Sequence, residues 1–323
     1  MTREIALIVG NGLSISFNKH HSITDFSDTQ NPLSWPVFTP GQKNLLIQNL
    51  PHLNEFIQKN KGMSDFDIFK LAAKIPFINH PSVLFSSSGK MVTLECRHFL
   101  TLAFSYYSIA TKKKMQATWP WYQWLSQHKY RLSAISSYNY DLILETALER
   151  LGVFFKDAAK PLKYGSVLLH KPHGSCNYES DEAFIKIDNL SYPLRGYVDN
   201  NQSHFRRLKP NALITPRTEP MCVIPNEPNI YDHYYLMKGQ DTLFHEHLAK
   251  TKSCVFIGNS YMACDRPEIN KVLESLNPDC KVIIANPNPC PIFLEKIESL
   301  NIKFDIWSNP KGPFDSNNNL ITI

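Results

Sequence analysis

The stretch nearest the start of the chain limits most what it can fold into. Ile5-Ala6-Leu7-Ile8-Val9 is wholly apolar and short enough for a buried strand. Gly10-Asn11-Gly12 follows at once, and a small polar residue, Ser14, lies just beyond. Glycines at this point let the chain turn sharply and let a phosphate approach the backbone. A helix starting after them would aim unpaired N–H groups at that phosphate. A plain tight turn satisfies the same residues, so the turn alone leaves both readings open.

The turn lacks the marks of a hydride-transferring enzyme. The dehydrogenase fingerprint needs a third glycine where this chain has Ile15. It also needs a second strand ending in an acidic residue about twenty positions on. Asp25 and Asp28 stand near that distance, but His20, His21, Ser22 and Thr24 precede them and no strand does. Asn31-Pro32 and Trp35-Pro36 follow, which is loop chemistry.

With 323 residues, 43% of them apolar, the chain can bury a sizeable core. A net charge of +5 is mild for this length and gives no reason to expect nucleic acid. Lys112-Lys113-Lys114 and Arg206-Arg207 are the basic clusters and read as solvated faces. No apolar run has the length of a membrane span, and Met-Thr-Arg-Glu is no secretion signal. The seven cysteines are irregularly spaced with no C-x-x-C pair, so neither a zinc ribbon nor a disulfide framework is expected. Cys254 and Cys280 read as small core residues, and the cytoplasm is the expected compartment.

A Pro-rich loop is expected at about 25–42, then helices over 45–61, 64–74 (capped by Ser64) and 93–115, and a short one around Trp119, Trp121, Tyr122 and Trp124. Their aromatic residues read as core. Strands are expected at 132–136, 165–171, 253–258, 280–285 and 302–306, with helices at 142–151 and 269–276. The stretch 176–235 is polar and Pro-rich, with short strands at 183–187 and 212–215. The fold class is therefore α/β: a Rossmann-like, doubly wound parallel sheet in a single domain over 1–323. A mostly helical insertion falls at about 41–130 and an irregular one at about 176–235.

Five expected strands end alike, in small or polar residues: Gly10-Asn11-Gly12, Asn139-Tyr140-Asp141, His173-Gly174, Gly258-Asn259-Ser260 and Asn286. In an open parallel sheet all carboxyl ends share one edge, where ligands bind. Residues far apart in sequence should therefore converge.

In order along the chain, GNGLS, SYNYD, KPHGS, FIGNS and IIANP each follow a strand. This series resembles the sirtuin (silent information regulator 2) superfamily, with its Gly-Ala-Gly-x-Ser turn, Thr-x-Asn-x-Asp strand end, His-Gly, Gly-x-Ser and late Asn. The resemblance covers about 1–17, 131–178 and 253–290. It implies NAD as substrate, held extended, with cleavage of the bond between nicotinamide and ribose. It implies catalytic roles for Asn139, binding the ribose and positioning water, and for His173, a general base. Gly10, Asn11, Gly12 and Ser14 would cradle the diphosphate, Asp141 would meet the nicotinamide carboxamide, and Gly258, Ser260 and Asn286 would line the adenosine side. Local readings stand beside these. Asn139, or better Asp141, can cap the helix that follows; His173 can be a turn residue; Ser260 can cap a short helix; Asn286 before Pro287 can start a turn.

Departures from the deacylase pattern steer the expected activity. The two C-x-x-C pairs of the zinc module are absent, so no zinc is expected. The Gly-Ile-Pro-Asp-Phe-Arg segment has only Asp25 and Phe26 near its place, and the Val that meets an acyl-lysine peptide has no match in Tyr261-Met262-Ala263. The Tyr-Asn-Tyr-Asp strand end, the helical insertion and Asp265 after Ser260 resemble instead the bacterial sirtuin-like effectors of phage defence. That resemblance implies an NAD glycohydrolase releasing nicotinamide and ADP-ribose. A deacylase or ADP-ribosyltransferase, and a non-catalytic NAD or ADP-ribose sensor, are the alternatives. Only a tail of about twenty residues follows the last expected strand, so regulation is expected from a co-encoded partner or self-assembly. The block at about 41–130 is the expected contact, or else a lid or core extension.

Overall fold

The computed structural model describes residues 3–74, 88–157, 166–180, 205–215, 220–226 and 235–323. In chain order the elements are β1 (Ile5–Val9), α1 (Gly12–His21), α2 (Pro51–Lys59), α3 (Asp65–Ala73), α4 (Ser88–Lys114), α5 (Pro120–His128), β2 (Leu132–Ser137), α6 (Ile143–Arg150), β3 (Phe155–Asp157) and β4 (Val167–His170). There follow β5 (Gly174–Ser180), β6 (Phe205–Arg207), β7 (Pro220–Cys222), α7 (Tyr235–Leu248), β8 (Ser253–Ile257), α8 (Arg266–Glu274), β9 (Lys281–Ala285), α9 (Pro291–Ser299) and β10 (Phe304–Trp307). The chain divides into two compact units, one of 1–27, 111–172 and 236–323, the other of 28–110 and 173–235.

The first unit is built on a seven-stranded sheet in the order β10-β9-β8-β1-β2-β4-β3, every neighbouring pair parallel. This is the Rossmann-like α/β architecture expected from the sequence. β1 lies in the middle, and all five of its residues are fully buried, as a central strand covered on both faces requires. α7, α8 and α9 supply apolar side chains against β1, β8 and β9: Phe244, Ile269, Val272, Phe293 and Ile297 pack with Ile8, Phe256 and Ile284. Cys254 and Cys280 are buried there, in keeping with a role as small core residues.

The second unit holds α2, α3, most of α4 and a three-stranded antiparallel sheet, β6-β5-β7. Trp35 packs on Phe104 and Tyr107 of α4, at centroid distances of 5.1 and 5.3 Å. Ser64 caps α3 by accepting the Asp67 N–H, as its position predicts. Glu95 is buried on α4 and accepts the Leu53 N–H at 2.7 Å.

Several expectations shift. The strand expected at 212–215 is a 3₁₀ turn over Pro210–Ala212, because proline presets the first position and cannot donate to a ladder. The strand expected at 183–187 lies outside the described residues. The stretch expected to be irregular carries β5, β6 and β7, and the helices α7 and α9 were not anticipated. Among the described residues no helix is long and apolar enough to cross a membrane.

Candidate functional site

Register aligns the strand ends. Val9 pairs with Ser137 on one side and Ile257 on the other, and Ile257 pairs with Ala285. Gly10, Tyr138, Gly258 and Asn286, the first residues past four strands, therefore stand side by side on the carboxyl edge. The chain fills one side of β1 with β2, β4 and β3, then returns to fill the other with β8, β9 and β10. The order reverses between β1 and β8, the place where open α/β sheets hold ligands.

The two turns at that reversal close on each other. The Gly10 N–H donates to the Ile257 carbonyl at 2.9 Å and the Gly12 N–H to the Gly258 carbonyl at 2.9 Å. A Cβ on Gly12 would lie 2.4 Å from the Gly258 Cα, and one on Gly258 would lie 2.3 Å from the Gly12 Cα. This corrects the sequence reading in one respect. The space left by these glycines is filled by each other's backbone, and their N–H groups are already committed. Among the described residues nothing accepts from the N–H groups of Asn11 and Ser14, which are the donors left at the start of α1.

Asn139, Ser14 and Asp141 form a buried chain of hydrogen bonds. Asn139 Nδ2 donates to the Gly10 carbonyl at 3.0 Å and to Ser14 Oγ at 3.1 Å. Ser14 Oγ donates in turn to Asp141 Oδ2 at 2.6 Å, and Asp141 Oδ1 accepts the Ile143 N–H at 2.9 Å. A carbonyl can only accept, so the Gly10 oxygen fixes which end of the Asn139 amide is Nδ2. Both amide hydrogens are then used, and Oδ1 is left as an acceptor with no donor to it among the described residues. Asp141 stands one residue ahead of the N-cap, Leu142, rather than at the cap itself, and its carboxyl bridges the first N–H of α6 and Ser14. Burial raises its carboxyl above the usual range, against the lowering effect of the Ser14 hydroxyl, the Lys171 ammonium and the Ile143 N–H.

On the other flank, Asn286 Nδ2 donates to the Asn259 carbonyl at 3.1 Å, tying the end of β9 to the turn after β8. Asn286 Oδ1 accepts the Asn288 N–H at 3.0 Å, so Asn286 also starts a turn. Asn259 is buried and its Oδ1 accepts the Tyr261 N–H at 2.9 Å. Ser260 is exposed, apart from this network. His173 belongs to the second unit, half-buried in the turn ahead of β5, and its carbonyl accepts the Val223 N–H at 3.0 Å. The following Gly174 has φ +72°, and a Cβ there would meet the Met221 carbonyl oxygen at 1.7 Å, so this turn admits only glycine.

Sequence reasoning named Asn259 only as part of a strand end and missed three residues at this edge: Glu145, His170 and Lys171. Lys171 is fully buried, its Nζ 2.9 Å from Glu145 Oε1 and 3.1 Å from the Asp141 carbonyl oxygen. His170 is stacked on Phe244 at 4.9 Å, with Nδ1 3.0 Å from Ser136 Oγ, and burial pushes its pKa down to about 4. The available signal was a His-Lys pair closing an apolar strand, where charged side chains must be either exposed or paired. Among the described residues no group of three or more His, Cys, Asp or Glu is placed to hold a metal ion.

No family model matches the chain, and no curated protein matches it. Among solved structures it is similar to a sirtuin studied for its substrate affinity, with 14% identity, a TM-score of 0.41, and coverage of 96% of this chain and 90% of that one. A Sir2 homologue in complex with NAD is 12% identical with a TM-score of 0.41, covering 95% and 84% of the two chains. A serine-to-alanine variant of a Sir2 homologue with ADP-ribose is 12% identical with a TM-score of 0.39, covering 95% and 87%. Both the α/β class and the placement of the candidate site at the β1–β8 reversal rest on this chain's own strand order and register.

Proposed function

We propose that this chain is an NAD glycohydrolase, cleaving NAD with water to nicotinamide and ADP-ribose. It acts in the cytoplasm in anti-phage defence, held in check by a co-encoded partner or by self-assembly. The observation that carries the proposal is the fixed amide of Asn139. Its Nδ2 is held by the Gly10 carbonyl and Ser14, which leaves Oδ1 to accept from a ribose hydroxyl or from the attacking water. Departure of nicotinamide develops positive charge on the ribose carbon, and a neutral amide oxygen stabilises that charge without competing for protons. The N–H of Asn11, partly exposed at the start of α1, is the donor for a phosphate. His173, by the family resemblance, takes the proton from the ribose hydroxyl or water.

The test is release of nicotinamide from NAD by the full chain, alone and with the products of neighbouring genes added. Release without any acyl peptide supports hydrolysis, and dependence on an acyl-lysine peptide supports a deacylase. Asn139→Ala and His173→Ala should each abolish release. Biological activity that survives both substitutions would instead mark a ligand sensor.

A further inference from the structure

Lys171 is an uncommon residue to find with no exposed surface. Two of its three N–H groups are accounted for, by Glu145 Oε1 at 2.9 Å and the Asp141 main-chain oxygen at 3.1 Å. Glu145 sits in the first turn of α6, is 3% exposed, and has its second oxygen, Oε2, buried with no partner. A buried pair of this kind gives little net stability, since desolvation of both charges offsets their attraction. A hydrophobic pair would fill the same space. The pair does something a hydrophobic pair cannot: it places a cation on the carbonyl of the residue two beyond Asn139.

We infer that Lys171 is a positioning residue for the site. Its ammonium, oriented by Glu145, locks the end of β2 so that Asn139 and Asp141 keep the geometry described above. The three residues come from three parts of the fold. Lys171 follows β4, Asp141 follows β2, and Glu145 is on α6; β2 and β4 are paired through Ser136 and His170. Without the ammonium, the Asp141 carbonyl loses its donor and the Asn139–Tyr140–Asp141 segment can rotate. A displacement of a fraction of an ångström there lowers transition-state stabilisation more than substrate binding. The inference rests on the NAD-cleaving reading for its kinetic consequence, but not for its structural one.

The decisive variant is the double substitution Lys171→Met with Glu145→Leu, which leaves no lone buried charge. Thermal unfolding of the full chain should be close to that of the parent. Nicotinamide release should lose at least tenfold in kcat, with KM for NAD changed less than threefold. Lys171→Arg in the parent, which keeps the cation, should recover part of kcat. In parallel, amide hydrogen exchange should speed up at least tenfold at Ile143, whose N–H is held by Asp141, and stay unchanged at Val255 in β8. Unchanged kcat and unchanged exchange at Ile143 in the well-folded double variant would overturn the inference. Faster exchange at Ile143, in a parent chain that leaves NAD intact under every condition, would keep the positioning role and reject the NAD-cleaving reading.

Discussion

Gly12 and Gly258 lie backbone against backbone, with the Gly12 N–H donating to the Gly258 carbonyl at 2.9 Å and no room for a Cβ on either residue. Residues 246 positions apart thereby join the turns after β1 and β8 at the reversal of strand order. Gly12→Ala and Gly258→Ala should each cost roughly 3 kcal/mol or more, since the colliding atoms are main chain and cannot swing away. Urea unfolding checks this. A loss under about 1 kcal/mol would mean that the turns separate easily.

Ser14→Ala removes a donor from Asp141 and an acceptor from Asn139. The expected loss at neutral pH is about 2 kcal/mol. The sign of its pH dependence follows from the carboxyl. Burial already raises the Asp141 pKa, and without the Ser14 hydroxyl it rises further. A buried acid of raised pKa destabilises the fold when ionised, so the penalty grows as pH rises through the folded pKa and fades below the unfolded one. The difference in stability between variant and parent should therefore be smaller at pH 4 than at pH 7, measured by denaturant titration at both.

Asn139→Asp keeps the shape of the side chain but sets a carboxylate against the Gly10 carbonyl oxygen. Both donors are lost and a repulsion replaces them. Nicotinamide release should fall by about a hundredfold or more, as with loss of an oriented polar group at a reacting centre. Asn139→Ala, which removes the amide without adding charge, should be less damaging to stability. Equal stability of the two variants would show that the Gly10 contact is weak.

His170 should make the fold sensitive to mild acid. Its pKa is about 4 in the folded chain against 6.5 for the free group, because burial disfavours the charged ring. Its contribution is complete above pH 6.5 and is lost as pH falls from there through 4, up to roughly 3 kcal/mol. His170→Gln, uncharged at every pH, should flatten that part of the stability profile between pH 7 and pH 4.5. An unaltered slope would place the acid sensitivity elsewhere.

Much of the sheet was legible because its longer strands announce themselves locally. The apolar run Ile5–Val9 is a strand with those bounds, and the strand expected at 253–258 spans Ser253–Ile257. Ser64 announced the start of α3 by its hydroxyl and the acidic residues behind it. The short strands β3, β6 and β7 carried no such signal, since three-residue strands owe their conformation to a neighbouring strand rather than to their own pattern.

At the candidate site the sequence by itself determined which residue types end each strand, because glycines, asparagines and serines break apolar runs wherever the chain later folds. It placed Gly10, Asn139, Gly258 and Asn286 at one sheet edge by parallel pairing alone. Only the tertiary structure decided what each of them does there. Gly12 serves Gly258, Ser14 serves Asp141, and the Asn139 amide is turned by the Gly10 carbonyl. Lys171 and Glu145 gave no sign in the sequence of finding each other in the interior. Hydrogen-bond partners across more than a hundred residues depend on which strands lie side by side and in what register, and no local pattern encodes that.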